Sequence, residues 1–292
     1  MGKTGELDGL KVTVLAEDSV LYESPYLGQH GLSFLLEATK GTNTRRILVD
    51  VGQNSQALLN NMRLMNISPP TIDAIVLTHC HYDHTKGIVN MLREIGKRGI
   101  PIIAHPSIFR PNFITKPYFR HVGIAQDDSR EEIEKTGASL SLTEDPLVIM
   151  PGIMTSGEVR RQTDFEEVGI ELKTVENGKV RDDQMLDDIS VIANVKEKGL
   201  VIVTGCSHAG VVNIAKQAIE LTGCDRIEAI IGGLHLIDAS DARIERTTEE
   251  LSKLNIGRIC AGHCTGFKAQ VELCLAFKER FSPLHTGMQL EI

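Results

Sequence analysis

Apolar positions come in short runs separated by turn residues. The runs at 11–16 (KVTVLA), 32–37 (LSFLLE) and 46–50 (RILVD) have the length and β-branched content of strands. A helical spacing follows over about 55–65, and Pro69 and Pro70 stop any continuation. The short run 72–77 suits a buried strand, and 88–97 reads as a helix. In the last third a strand-then-helix rhythm repeats, with strands at 200–203, 227–231 and 258–261 and helices near 210–221, 241–254 and 267–280. Strands alternating with helices predict an α/β fold in which helices cover the sheets. The middle differs. Residues 105–190 contain Pro106, Pro111, Pro117, Pro146 and Pro151, several charges and little periodicity. Long irregular segments inside a domain usually serve function. The expectation is one domain over 1–292 with a substrate-pocket insert at about 105–165.

Composition narrows the class. With 41% apolar and 24% charged residues, the 292-residue chain is ordinary globular material, which excludes disorder, a collagen-like repeat and a coiled coil. Lys and Arg number 31 against 39 Asp and Glu, a net charge of -8 that argues against nucleic-acid binding. No apolar stretch approaches the ~20 residues that span a bilayer, and the start, MGKTGELD, lacks the apolar run of a signal peptide. Cys80, Cys206, Cys224, Cys260, Cys264 and Cys274 include no CxxC pair and read as reduced thiols. The reading is a cytoplasmic protein whose partner is a small molecule, with neither nucleic acid nor membrane.

The chemistry concentrates at 78–87, THCHYDHTKG, directly after the run ending at Leu77. In an extended chain His79 and His81 project from one face, and Asp83 and His84 then turn back toward them. Four donors in six residues at a strand end point to a metal, and imidazole with carboxylate suits zinc, iron or manganese. Cys206 and His208, His235, and His263 stand in equivalent places, each just beyond a predicted strand. Asp50, at the end of 46–50, suits a carboxylate that orients a metal-bound imidazole; capping the next helix is the other role open to it.

These residues resemble the metallo-β-lactamase superfamily of metal-dependent hydrolases, whose hallmark is HxHxDH. Asp50, His79, His81, Asp83, His84 and His263 fall where that superfamily keeps its motifs. The resemblance implies a four-layer αββα sandwich with metals at the edge between the sheets. It implies His79, His81 and His208 on one metal and Asp83, His84 and His263 on a second, with Asp83 also handling the proton. The motifs QHGLS (29–33), TGCSHAG (204–210), GGLHL (232–236) and GHCTG (262–266) are similar to a closer branch, the synthases that join a dihydropterin to a ribofuranosyl-aminobenzene phosphate. The chain departs from the superfamily at two points. Residues 150–155 lack the usual ligand histidine, a place His208 would fill. Cys206 stands where a bridging Asp is common, either as a bridge or as a small buried thiol.

Two roles suit His235: general acid or phosphate contact, or a further ligand. His30 is either a pocket residue or a turn histidine. Arg110 and Arg120, with Lys116, Arg160 and Arg161, either form an anion pocket or are scattered surface charge. The first expectation is a hydrolase of a small, phosphorylated substrate, using two divalent ions, zinc foremost, to lower the pKa of a bound water to about 7. The alternative is transfer of a dihydropterin from its diphosphate to the arylamine phosphate. A non-catalytic metal-binding or redox module stands third.

Overall fold

In the computed structural model, which describes residues 5–292, the strand runs of the first half form a seven-stranded sheet. Its spatial order is Gln289–Glu291, Gly9–Ala16, Ser33–Lys40, Asn43–Val49, Ala74–Val76, Pro101–Ala104 and Ser139–Leu142. Pairing is antiparallel as far as Asn43–Val49 and parallel beyond it. A second seven-stranded sheet runs Phe281–Pro283, Asn255–Gly262, Arg226–Gly233, Gly199–Val203, Val191–Val195, Ile153–Thr155 and Val148–Met150. Here the pairing is parallel from Phe281–Pro283 to Gly199–Val203 and antiparallel beyond. The first four residues of the MGKTGELD start lie outside the described residues.

The alternation of side chains across a strand explains why these runs are apolar at nearly every position. Phe34 and Leu36 face Val191, Val203 and Ile231 between the sheets, while Leu35, between them in sequence, points the other way. That outer face of the first sheet packs on Leu58 and Met62 of the helix Ser55–Leu64 and on Met91, Leu92 and Ile95 of the helix Ile88–Ile95. The outer face of the second sheet, including Ile202, Ile230 and Ile259, packs on Val211–Thr222, Asp241–Ser252 and Phe267–Phe277. Three cores therefore separate four layers, and the fold is the αββα sandwich. Each large side chain so buried contributes about 1.5–3 kcal/mol. Among the described residues no helix is long and apolar enough to cross a membrane.

The segment expected as a pocket insert at 105–165 divides differently. Ser139–Leu142 is an edge strand of the first sheet, and Val148–Met150 with Ile153–Thr155 forms the edge hairpin of the second. The site expected to lack a ligand histidine is this hairpin. What stands off the sandwich is a small four-stranded sheet built from Phe113–Ile114, Arg120–His121, Leu172–Glu176 and Lys179–Asp182. Strands of two to five residues carry too few positions for a periodicity to show.

Candidate metal centre

The parallel halves of both sheets end at one place, and every candidate ligand lies just past a carboxyl end. Asp50 follows Asn43–Val49, His79 follows Ala74–Val76, and Cys206 and His208 follow Gly199–Val203; His235 and His263 follow Arg226–Gly233 and Asn255–Gly262. Ligand sites favour such ends in α/β folds. One helical turn, Tyr82–Thr85 with His81 as its N-cap, swings Asp83 and His84 back toward the strand ends. Asp50, Ser207, His235 and His263 all hold φ between 43° and 60°. Left-handed backbone at non-glycine residues costs of order 1–3 kcal/mol each, so strain is gathered around the cluster. The two sheets meet closely here: a Cβ on Gly205 would stand 2.1 Å from Thr78 Oγ1.

Hydrogen bonds fix which nitrogen each imidazole offers. Asp50 accepts from Thr78 N at 2.8 Å and from Thr78 Oγ1 at 2.7 Å. A hydroxyl has one proton, so Thr78 Oγ1 must accept from His79 Nδ1, 3.0 Å away, leaving His79 Nε2 bare. His84 Nδ1 donates to Asp50 Oδ2 at 2.7 Å, and His84 Nε2 lies 3.2 Å from Cys206 Sγ. His263 Nδ1 donates to Asp18 Oδ2 at 2.6 Å and turns Nε2 to Asp83 Oδ2 at 3.1 Å. His208 Nδ1 faces the Val168 carbonyl at 3.5 Å, and its Nε2 is 3.3 Å from His81 Nδ1. Four rings are thus tied at Nδ1 and present Nε2 inward, the arrangement second-partner hydrogen bonds give metal-bound histidines. His79 Nε2 is also 3.1 Å from His81 Nδ1.

Two overlapping groups result, His79, Cys206 and His208 in one and His84, Cys206 and His263 in the other, each with donor atoms within 4.8 Å of one another. Cys206 belongs to both, the geometry of a bridging position.

Electrostatics shows the same demand for a cation. Burial lowers His79, reinforced by the neighbouring His84 and His81, and lowers His208, reinforced by His235 and His81; burial likewise lowers His81 to about 4. These rings are neutral donors. Burial works against charge at Asp83 as well, but His84 and His263 outweigh it and hold the carboxyl below its usual range. Burial would also lower His84, yet the Asp83 and Asp50 carboxylates raise it to about 9. Bound protons at His84 and His263 here supply positive charge that a metal ion would supply in their place. His81 Nε2 and both nitrogens of His235 are buried without a partner. Neutral imidazoles, an ionised carboxylate, a thiol and orphaned ring nitrogens fit a divalent metal.

Beside the cluster lies a cleft of about 410 Å³. Tyr82, Ile114, Val122, Ile170 and Ile237 make its apolar wall, and Lys116 and Arg120 stand at it. His30 lines it too, with Nδ1 2.9 Å from Asp18 Oδ1 and Nε2 3.5 Å from Asp83 Oδ2. Arg110 does not reach the cleft. Its guanidinium is held by Asp183 at 2.7 and 2.9 Å and by Asp187 at 2.8 Å, so the pocket role expected of it gives way to a structural one. Arg160 pairs with Glu220, and Arg161 donates to the carbonyls of His208 and Gln184 at 2.8 Å. Sequence reading missed Asp18, which orients both His30 and His263, and Glu17, whose carboxylate accepts from His263 N at 2.6 Å. The signal was available: Glu17 and Asp18 follow the strand Gly9–Ala16 as Asp50 follows its own.

Asp50→Asn tests the orienting role. An amide in place of the carboxylate removes the charge that His84 and Thr78 share, and metal affinity is expected to fall about 10–100-fold. Equilibrium dialysis against a metal chelator reads that fall, and unchanged affinity would reduce Asp50 to a structural cap.

Three comparisons bear on the family. Residues 45–163 match the beta-lactamase superfamily domain. The chain is 45% identical to the 7,8-dihydropterin-6-methyl-4-(beta-D-ribofuranosyl)-aminobenzene-5'-phosphate synthase of Methanocaldococcus jannaschii, over 97% of both chains. It is 34% identical to an uncharacterized protein of the same organism, over 88% of this chain and 91% of the other. A solved metal-dependent hydrolase of the beta-lactamase superfamily superposes with a TM-score of 0.79 at 23% identity, over 97% of this chain and 99% of that one. This last likeness is one of fold.

Proposed function

Because the chain belongs to the metallo-β-lactamase superfamily, we propose that it is a metal-dependent synthase joining a dihydropterin, carried in as its diphosphate, to a ribofuranosyl-aminobenzene phosphate. The similarity over 97% of both chains to a synthase named for that product supports transfer over the hydrolysis expected first from the HxHxDH motif. The observation that carries the metal requirement is the set of four imidazoles tied at Nδ1 and aimed inward at Nε2.

His79, His81 and His208 would hold one ion and Asp83, His84 and His263 a second, with Cys206 able to serve both. Such ions, zinc foremost, supply Lewis acidity toward the oxygens of a leaving diphosphate. The chain's own residues do the rest. Ile114, Val122, Ile170 and Ile237 form an apolar wall that accepts a planar heterocycle and keeps water from the reactive methylene carbon. Arg120 and Lys116 offer cations to the phosphate of the arylamine partner. As the amine nitrogen bonds that carbon and the carbon–oxygen bond to diphosphate breaks, the amine loses a proton. Asp83, whose Oδ2 stands 3.5 Å from His84 Nε2 and 3.1 Å from His263 Nε2, would accept it.

The test is release of diphosphate from a dihydropterin diphosphate with and without the arylamine phosphate. Release that requires both partners supports transfer, whereas equal release without the arylamine returns the hydrolytic reading. In the same assay Arg120→Ala is expected to raise KM for the arylamine phosphate about tenfold, equivalent to roughly 1.4 kcal/mol, while kcat holds. A change in kcat alone would remove Arg120 from phosphate binding.

A further inference from the structure

Two thiols and an imidazole converge beside the histidine set. The sulfurs of Cys206 and Cys264 and one ring nitrogen of His235 lie within 4.8 Å of one another, and all three residues are buried. His235 is only 8% exposed, and neither of its nitrogens has a hydrogen-bond partner. Leaving a buried polar group unpaired costs about 1–3 kcal/mol, so this ring is poised for something that takes a lone pair.

The surroundings are shaped for the sulfur. A Cβ on Gly233 would stand 2.6 Å from Cys264 Sγ, so glycine at the end of that strand makes its room. The loop carrying His235 is bound to the loop carrying Cys264. Leu236 N and Ile237 N donate to the Cys264 carbonyl at 3.0 and 3.1 Å, and Leu234 N donates to Thr265 Oγ1 at 3.1 Å. Spacing between imidazole and thiol is therefore set by backbone rather than by free side-chain rotation. In a tetrahedral zinc site with zinc–sulfur bonds near 2.3 Å, the sulfurs stand about 3.8 Å apart, so a spacing within 4.8 Å needs only modest adjustment. All three residues also line the cleft, which leaves a fourth position open toward bound substrate.

We propose that Cys206, His235 and Cys264 form a sulfur-rich metal site that takes a thiophilic divalent ion, zinc or cadmium, in preference to manganese or magnesium. Two thiolates and a neutral imidazole balance a doubly charged soft ion, whereas hard ions require oxygen donors. Cys206 also belongs to both histidine groups, so an ion held by Cys206, His235 and Cys264 takes that sulfur in place of a bridging role between them. His235 then acts as a ligand, and the free, buried sulfur of Cys264 gains a function.

The experiment counts sulfurs on the metal and uses no substrate, so it stands apart from the transfer reading. Metal-stripped protein is titrated with Co²⁺ and the thiolate-to-cobalt charge-transfer absorption is followed. Cys264→Ser is expected to lose about half of that absorption, and His235→Ala to keep it while weakening Co²⁺ binding. Cys274→Ser, at an exposed position on the helix Phe267–Phe277, serves as a control with no change. A Cys264→Ser spectrum superimposable on that of the parent protein would overturn the site. Cadmium-113 NMR of the unsubstituted protein gives the same answer without any variant: a shift characteristic of two sulfur ligands supports the proposal, and one sulfur or none overturns it.

Discussion

Protein in which His79 and His208 are both replaced by alanine is expected to purify with far less metal and to lose product formation roughly 10³-fold. The two rings are fully buried and belong to one donor group with Cys206. Burial lowers both pKa values well below the ordinary imidazole value, so near neutral pH their lone pairs are available. Removing Lewis acidity worth about 4 kcal/mol at the transition state gives the stated rate loss. Elemental analysis of the metal, beside far-UV circular dichroism to show folded protein, is the measurement. Because two alanines also open space in the interior, the pair His79→Gln and His208→Gln provides a second reading with less lost volume. If either double variant retained the parent's metal content, the centre described here would be misplaced.

A second large effect falls on stability. Arg110→Ala is expected to cost about 3 kcal/mol, on the order of 10 °C in Tm, while leaving substrate KM unchanged. The guanidinium reaches Asp183 and Asp187, whose side chains are 3% and 0% exposed, and without it two carboxylates stay buried near one another with no cation. Asp187 also accepts from Cys80 N at 2.8 Å, so the pair ties the 183–188 segment to the strand end that carries His79 and His81. Burial raises the pKa of Asp183, but its hydrogen bonds and attraction to Arg110 outweigh that and hold it below the usual 3.8. The stability from this depressed pKa is present above the ordinary aspartate value and is lost as pH falls through the folded-state value. In Arg110→Ala that acid-side loss should largely vanish. Thermal melts of both proteins from pH 7 down to pH 3 test it. A changed KM with an unchanged melt would return Arg110 to the substrate pocket.

Most strands and helices of the sandwich are legible in the chain because they are long enough for a period to show and are closed by strong signals. The helix Ser55–Leu64 begins where Asn54 accepts from Gln56 N and Ala57 N, and Ile88–Ile95 ends on Gly96 in the left-handed region. The four-stranded sheet over the cleft was not legible. Phe113–Ile114 pairs with Leu172–Glu176, more than fifty residues on, and nothing local in either segment encodes that partner. Arg110 and Arg120 show the same divide. Both are arginines in a proline-rich segment, yet one is locked to buried carboxylates and the other lines the cleft.

The donor inventory is written along the chain, since HxHxDH, Cys206, His208, His235 and His263 each stand just past an apolar strand run. Side-chain chemistry and strand-end placement are local properties, readable from composition and spacing. Tertiary structure sets which donors come within reach of one another, because that depends on the two parallel half-sheets ending face to face. It made Cys206 common to both groups, brought Asp18 to His263 across 245 positions, and set Cys264 beside His235. Such contacts follow from packing two layers through one core, and no window along the chain contains both partners.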